Sequence, residues 1–139
     1  MYEEYSRQAL PSKRYRELLG SAICVFNSNS QFVIENILKI NDSIYNWHEL
    51  IDKTSGGLLQ PVKETITVNS DMRIAKLFSS IITKRNRIIH SFQITENNEQ
   101  VLCTKTKNNE QFTITERFLL EFIEENVKLS SLLHKLRGY

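Results

Sequence analysis

The sequence has few of the residues and patterns that mark several large classes of protein. Its 139 residues include only 4 glycines, 2 prolines and 2 cysteines. The longest unbroken apolar run, residues 22–26, is far shorter than the roughly 20 residues that a membrane-crossing helix needs. The net charge is just +2, so attraction to nucleic acid or to an anionic membrane would depend on a local patch. These shortages exclude fibrous, membrane-spanning and strongly basic coating proteins.

Targeting signals and redox motifs are also missing. The N-terminal segment has no apolar stretch behind a basic start, so we expect no secretory signal and, by default, a cytoplasmic location. Cys24 and Cys103 lack CxxC spacing, and we expect both to be buried thiols without redox chemistry.

Standard catalytic and cofactor motifs are absent as well. The chain contains no GxGxxG or GxxxxGK loop, no HExxH pair and no GxSxG elbow. Its three histidines, His48, His90 and His134, are far apart in sequence and have no cysteine partners at metal-ligand spacing. We therefore expect no nucleotide cofactor and no metal, and we treat His48 and His134 as surface or structural residues.

What is present is the composition of a globular domain, with 40% hydrophobic and 24% charged residues, and we expect one domain over residues 1–139. Pro11 and a three-and-four apolar spacing predict a helix that begins near Ser12. The same period continues to about Lys53 with one or two breaks, and the polar run 27–30 leaves open whether the first helix is continuous. Residues 55–57 predict a stop, followed by a loop with a short helical turn near Pro61.

The second half of the chain predicts two helices with short strands between them. Ser70 or Asp71 can cap the first of these helices, and Thr113 or Thr115 the second, which ends before Gly138. Segments 91–95, 100–106 and 111–115 are rich in threonine and β-branched residues and predict a small antiparallel β-meander. The expected apolar stripe of the last helix is Phe118, Leu119, Phe122, Ile123, Val127, Leu129, Leu132, Leu133 and Leu136. The predicted fold class is mainly α, a bundle of four to five helices with the meander inserted before the last one.

Arg85 is the anomaly of this pattern. On an ideal helix it lies about 20° from Ile74, within the apolar stripe of the predicted helix. A guanidinium there must extend to solvent, pair with a carboxylate, for example one of Glu116, Glu121, Glu124 and Glu125, or face a cleft that binds an anion. His90 shares a face with Asn86 and lies about 140° round the helix from Arg85. Cations at the end of a helix also have a simpler explanation, since they complement the helix dipole.

The segment Arg85-Asn86-x-x-x-His90 at the end of a bundle helix resembles the signature of the HEPN superfamily. That signature is an arginine, a polar residue that is often asparagine, and a histidine after four to six intervening residues. The resemblance implies a helical bundle that dimerises and brings two such motifs together. Many members of the superfamily are metal-independent ribonucleases of the toxin or antiphage-defence kind. The resemblance therefore also implies this activity, with no cofactor.

The resemblance assigns roles that the side chains can perform. His90 would act as acid and base in RNA cleavage, because histidine titrates near neutral pH, and Arg85 would clamp the phosphate with its planar fork of donors. Asn86 would orient the imidazole or bind a phosphate oxygen. Lys84 and Arg87 would add RNA contacts. A twofold dimer would supply the second histidine, and RNA is expected as substrate because only RNA carries a 2′-hydroxyl.

The partners implied are RNA, a second copy of the chain and a cognate antitoxin or regulatory protein, with no membrane. In HEPN toxins silenced by nucleotide transfer, a tyrosine follows the histidine by two residues; this chain has Phe92 there, which has no hydroxyl to modify. Other members are non-catalytic RNA- or protein-binding modules, which is the alternative function. Lys13, Arg14 and Arg16 form either a second phosphate patch or a solvated face.

Overall fold

A computed structural model describes residues 2–138. Its elements are α1 (Lys13–Ile40), α2 (Trp47–Asp52), α3 (Leu59–Val62), α4 (Arg73–Ile89), β1 (Phe92–Glu96), β2 (Glu99–Lys105), β3 (Gln111–Ile114) and α5 (Glu116–Arg137). The predicted architecture is thus confirmed at the level of a mainly helical fold with a small antiparallel sheet before the last helix. No helix within the described residues combines the length and apolar character that a membrane crossing requires.

Helix α1 is continuous over 28 residues, which answers the question left open by its polar centre. Ser12 caps it, accepting a hydrogen bond at 3.1 Å from the backbone N–H of Tyr15. Within the polar run, Asn29 is buried and its amide donates to the backbone oxygen of Asn126 at 2.8 Å and to its side-chain oxygen at 3.0 Å. The polar run is therefore compatible with a continuous helix, because its buried asparagine makes hydrogen bonds to α5.

Between α1 and α4 the chain is more helical than the sequence predicts. Asn41 ends α1, and its side-chain oxygen accepts from the backbone N–H groups of Ser43 and Ile44, both at 3.2 Å. After α2, a 3₁₀ turn (Gly56–Leu58), α3 and a π-helical turn (Lys63–Thr67) follow one another where we expected a loop with one turn. Buried apolar residues on these turns join the core, and this burial favours helix over loop; they are Leu58, Val62 and Ile66.

Of the two predicted caps of the later helices, that of α5 is confirmed and that of α4 is wrong. Met72 occupies the cap position of α4, and Asp71, one residue before it, accepts from the backbone N–H of Arg73 at 2.9 Å. Thr115 caps α5 through a 3.0 Å hydrogen bond from the N–H of Phe118, and Gly138 ends that helix at φ 89°. A positive φ of this kind costs glycine little.

Two burial predictions are wrong. Val127 was expected in the apolar stripe of α5 but is 59% exposed, because the inward position beside it is taken by the buried Asn126. Cys24 was expected in the core but lies exposed on α1, whereas Cys103 is buried as predicted.

The sheet is a meander of order β1-β2-β3 with antiparallel pairing throughout. Its first hairpin turns at Asn97 and Asn98, both at positive φ, a conformation that asparagine tolerates better than most residues. Tyr15 joins the sheet to α1: its hydroxyl donates to the carbonyl of Ile114 at 2.5 Å and accepts from the N–H of Leu102 at 3.2 Å.

The middle of the core is aromatic. The ring centroid of Phe26 on α1 lies 6.4 Å from that of Phe78 on α4 and 6.3 Å from that of Phe122 on α5. All three side chains are essentially inaccessible to solvent. The three long helices therefore meet at Phe26, and this residue also borders the candidate site.

Candidate functional site

Arg85 lies on the face of α4 that packs against α1, as the helix geometry predicts. Its guanidinium carbon sits 5.5 Å from the centroid of the Phe26 ring, within cation–π range. Its Nη1 donates to the side-chain oxygen of Asn86 at 3.3 Å. Among residues 2–138, no Asp or Glu oxygen lies within 4.0 Å of this guanidinium. Of the three alternatives for Arg85, pairing with a carboxylate is therefore not observed, and the partly exposed side chain borders two clefts.

Two clefts border Arg85. The first, here the apolar cleft, has a volume of about 100 Å³ and is lined, besides Arg85, by Ala22, Ile23, Phe26, Asn27, Ile88, Ile89 and Phe122. The second, here the polar cleft, has a volume of about 220 Å³ and lies between α1 and segment 50–58. Its polar lining is Asn27, Ser30, Gln31, Lys53, Ser55 and Arg85, and its apolar lining is Phe26, Ile34, Leu50, Ile51 and Leu58.

The sequence analysis missed the polar cleft. Part of its wall is the polar run at the centre of α1, which we interpreted only as a possible break in the helix. Much of the remaining wall comes from segment 50–58, which includes Lys53, and from Arg85 on α4, both distant in sequence from that run. The one signal in the sequence was the concentration of amide and hydroxyl side chains at residues 27–31 within an otherwise apolar helix pattern.

His90 is the C-cap residue that directly follows α4, and it does not line either cleft. Its backbone N–H bonds to the carbonyl oxygen of Asn86 at 2.9 Å, and its side chain is exposed. Because α4 continues regularly to Ile89, the predicted angular separation from Arg85 persists. Within one chain, the structure therefore brings Arg85 and Asn86 together and leaves His90 apart from them.

The two other cations of this segment contact neighbouring elements. Lys84 forms an ion pair with Glu125 of α5. Arg87 donates to the backbone carbonyl of Lys105 at the end of β2. Glu125, one of the four carboxylates that we considered for Arg85, thus pairs with the adjacent lysine. Both cations expected to contact RNA also hold α4 to the rest of the fold.

The N-terminal cations lie away from Arg85. From Lys13 to Phe26 the axis of α1 rises about 20 Å, at about 1.5 Å per residue. Arg14 lies 3.7 Å from an oxygen of Glu116, while Arg16 donates to Glu3 at 2.7 Å. The hydrogen bond to Glu3 raises the pKa of Arg16 above its ordinary value. Lys13 is exposed in the first turn of α1.

The remaining histidines contact aromatic rings and line neither cleft. His48 packs edge-on against Trp47, with centroids 5.4 Å apart. His134 has its Nδ1 2.7 Å from the carbonyl oxygen of Ser130 and its ring 4.7 Å from that of Phe32.

Comparison of the chain with models of known protein families, with curated proteins and with solved structures found no match.

Proposed function

We propose that the protein is a metal-independent endoribonuclease of the HEPN type that acts as a homodimer. The observation that carries this proposal is Arg85, a guanidinium that faces two clefts and has no carboxylate beside it in the described chain. A fixed, planar fork of donors in that setting suits a phosphate group. The residues that resemble the superfamily signature supply the rest of the chemistry.

In the proposed step the 2′-oxygen of RNA attacks the adjacent phosphorus, a new P–O bond forms, and the bond to the 5′-oxygen breaks. One His90 accepts the proton of the 2′-hydroxyl, and His90 of the partner subunit donates a proton to the departing 5′-oxygen. Arg85 stabilises the charge that develops on the phosphate oxygens. Asn86, which bonds to Arg85, holds the guanidinium in place rather than orienting the imidazole.

Exposed apolar side chains beside Arg85 support the dimer. Ile23 and Ile89, which line the apolar cleft, are 37% and 44% exposed. Covering them with a second copy would remove apolar surface from water, which favours association. Because His90 follows Ile89 directly, the same contact would bring both histidines to the interface.

The alternative is an RNA-binding module that does not cleave its ligand. The observation that favours it is the separation of His90 from the clefts that Arg85 lines. In that case Arg85 would bind phosphate and His90 would be an ordinary end-of-helix residue.

The setting that accompanies the ribonuclease proposal is that of a cytoplasmic toxin or antiphage-defence effector. A cognate antitoxin or another regulatory protein would restrain it. Phe92 lies half-exposed at the start of β1, where a modifiable tyrosine would be needed for silencing by nucleotide transfer. We therefore propose restraint by binding.

The experiment is RNA cleavage in EDTA by the wild-type protein, His90→Ala and the matched control His134→Ala. We expect the wild type and His134→Ala to cut a mixed-sequence RNA, and His90→Ala to lose at least about a hundredfold in rate, as expected for loss of an acid–base group. Circular dichroism checks that each variant folds. Equal cleavage by all three proteins would contradict the assignment of His90, and binding without cleavage by the wild type would favour the alternative.

A further inference from the structure

The polar cleft has the chemistry of a nucleotide-binding surface, and the roles discussed so far use only its Arg85. A second cation, Lys53, lines it at the end of α2. Lys53 forms no ion pair within 4.0 Å in the part of the chain that the structure describes. None of the described residues that line the cleft is an Asp or a Glu. Two cations without a carboxylate make this cleft attractive to an anion.

Hydroxyl and amide groups line the same cleft as the two cations. The Oγ of Ser30 is buried and has no hydrogen-bond partner among residues 2–138, although a buried hydroxyl usually has one. Asn27, Gln31 and Ser55 line the same space. Such donors and acceptors match the phosphate oxygens and sugar hydroxyls of a nucleotide.

An aromatic side chain stands beside this lining. Trp47 donates from its Nε1 to the side-chain oxygen of Gln31 at 3.3 Å, and the residue is 42% exposed. Exposed aromatic rings next to cationic grooves bind the bases of single-stranded nucleic acid by stacking. The apolar floor, which includes Leu50 and Ile51, offers a second surface for a base.

From these observations we infer that the polar cleft binds one nucleotide unit of single-stranded RNA, with Lys53 on the phosphate next to the one that Arg85 holds. Trp47 stacks on the base. The inference rests on the proposed function only in taking Arg85 as the residue that contacts the scissile phosphate. It adds Lys53 and Trp47 to the residues that bind the substrate.

The test uses Trp47 as its own probe, since it is the only tryptophan in the chain. The ligand is a mixed-sequence 2′-O-methyl RNA oligonucleotide, which lacks the nucleophile for cleavage. We expect saturable quenching of tryptophan fluorescence in the wild type. Lys53→Gln should bind about tenfold more weakly, the effect of losing one charge-assisted contact. The matched control Lys39→Gln removes the same charge from an exposed position of α1 outside the cleft and should bind as the wild type does.

Several outcomes would overturn the inference. Equal weakening by Lys53→Gln and Lys39→Gln would show a general charge effect instead of a site. Binding of a labelled oligonucleotide, followed by anisotropy, without a change in tryptophan fluorescence would place RNA elsewhere. Tighter binding of adenosine or uridine monophosphate than of the oligonucleotide would make the cleft a site for free nucleotides, and no binding of either would leave it without this function.

The result is separable from that of the cleavage experiment. A wild type that binds the oligonucleotide at Trp47 but cuts no RNA would contradict the proposed ribonuclease and support the inference. A wild type that cuts RNA, together with a Lys53→Gln variant that binds the oligonucleotide as tightly as the wild type does, would support the proposed ribonuclease and contradict the inference.

Discussion

Arg85 occupies a position on α4 that the apolar pattern assigns to the core, and its surroundings explain how a charge is tolerated there. The guanidinium rests over the ring of Phe26 and borders both clefts. Among the described residues no ion pair holds Arg85, and Glu125, which we considered as a partner for it, pairs with Lys84. The charge is therefore held without an ion pair, and our proposal assigns it a phosphate ligand.

This placement predicts that Arg85→Met separates function from stability. Methionine fills similar space, so the free energy of unfolding should change by no more than about 1 kcal/mol, the size of an exposed cation–π contact. RNA binding and cleavage should both fall, because the phosphate contact is lost. Urea unfolding and cleavage assays on the same preparation measure the two effects. A variant that unfolds far more easily than the wild type would indicate a structural role for the charge.

At the scale of single residues, the sequence predicted that Arg85 lies on the apolar face of α4, but it did not predict that Lys53 lines a cleft. The position of Arg85 follows from helix geometry alone, since all the residues that define the stripe lie on one helix. Lys53 reaches the polar cleft only because α2 packs against α1, and nothing in the local pattern specifies that packing. The separation of His90 from Arg85 was also predictable, because it follows from the same helix geometry.

At the scale of elements, one hydroxyl connects the sheet to the longest helix. Tyr15 is buried and bonds to both β2 and β3. Burial raises the pKa of its hydroxyl above the ordinary value of 10.0. A group whose pKa is raised on folding stabilises the folded state below its unfolded pKa, and that contribution is lost as the pH rises through the folded value.

We therefore predict that the wild type loses stability from about pH 10 upward by a step that Tyr15→Phe lacks. Below that pH, Tyr15→Phe should be less stable by about 1–3 kcal/mol, because the carbonyl of Ile114 and the N–H of Leu102 lose their partner. Urea unfolding of both proteins at pH 8 and pH 11 tests this. The same pH dependence in both proteins would show that Tyr15 is not the group responsible.

Caps and turns account for most of what could be predicted about the elements. Ser12, Thr115 and Gly138 mark helix ends through local hydrogen bonds or backbone conformation, so their roles are visible in the sequence. The continuity of α1 was not visible, because it depends on the hydrogen bonds of Asn29 to Asn126, 97 positions away. The exposure of Val127 was not visible in the sequence either, because it follows from the burial of Asn126 beside it.

At the scale of the whole molecule, the proposal requires two copies. Ile23 and Ile89 leave apolar surface beside the apolar cleft, and His90 follows at the end of the same helix. A single chain holds one His90 and keeps it away from Arg85. Two chains joined at this surface would supply the acid and the base that the cleavage step needs.

We predict that Ile89→Lys converts the dimer to a monomer and abolishes cleavage, because two buried lysines would face each other across the interface. The matched control is Val127→Lys, an exposed apolar residue on α5 that is not part of this surface. It should remain dimeric and active. Analytical ultracentrifugation and the cleavage assay on both variants decide the point. A monomeric wild type that cleaves RNA, or an Ile89→Lys dimer, would contradict this interface.

The central claim, that this chain cleaves RNA through its 2′-hydroxyl with His90, is tested most directly by the chemistry of the product ends. Mass spectrometry of RNA fragments produced in EDTA should show 2′,3′-cyclic phosphate and 5′-hydroxyl ends. These ends should be absent from digests with His90→Ala. Fragments with 3′-hydroxyl and 5′-phosphate ends, or cyclic phosphates produced equally by His90→Ala, would contradict the account.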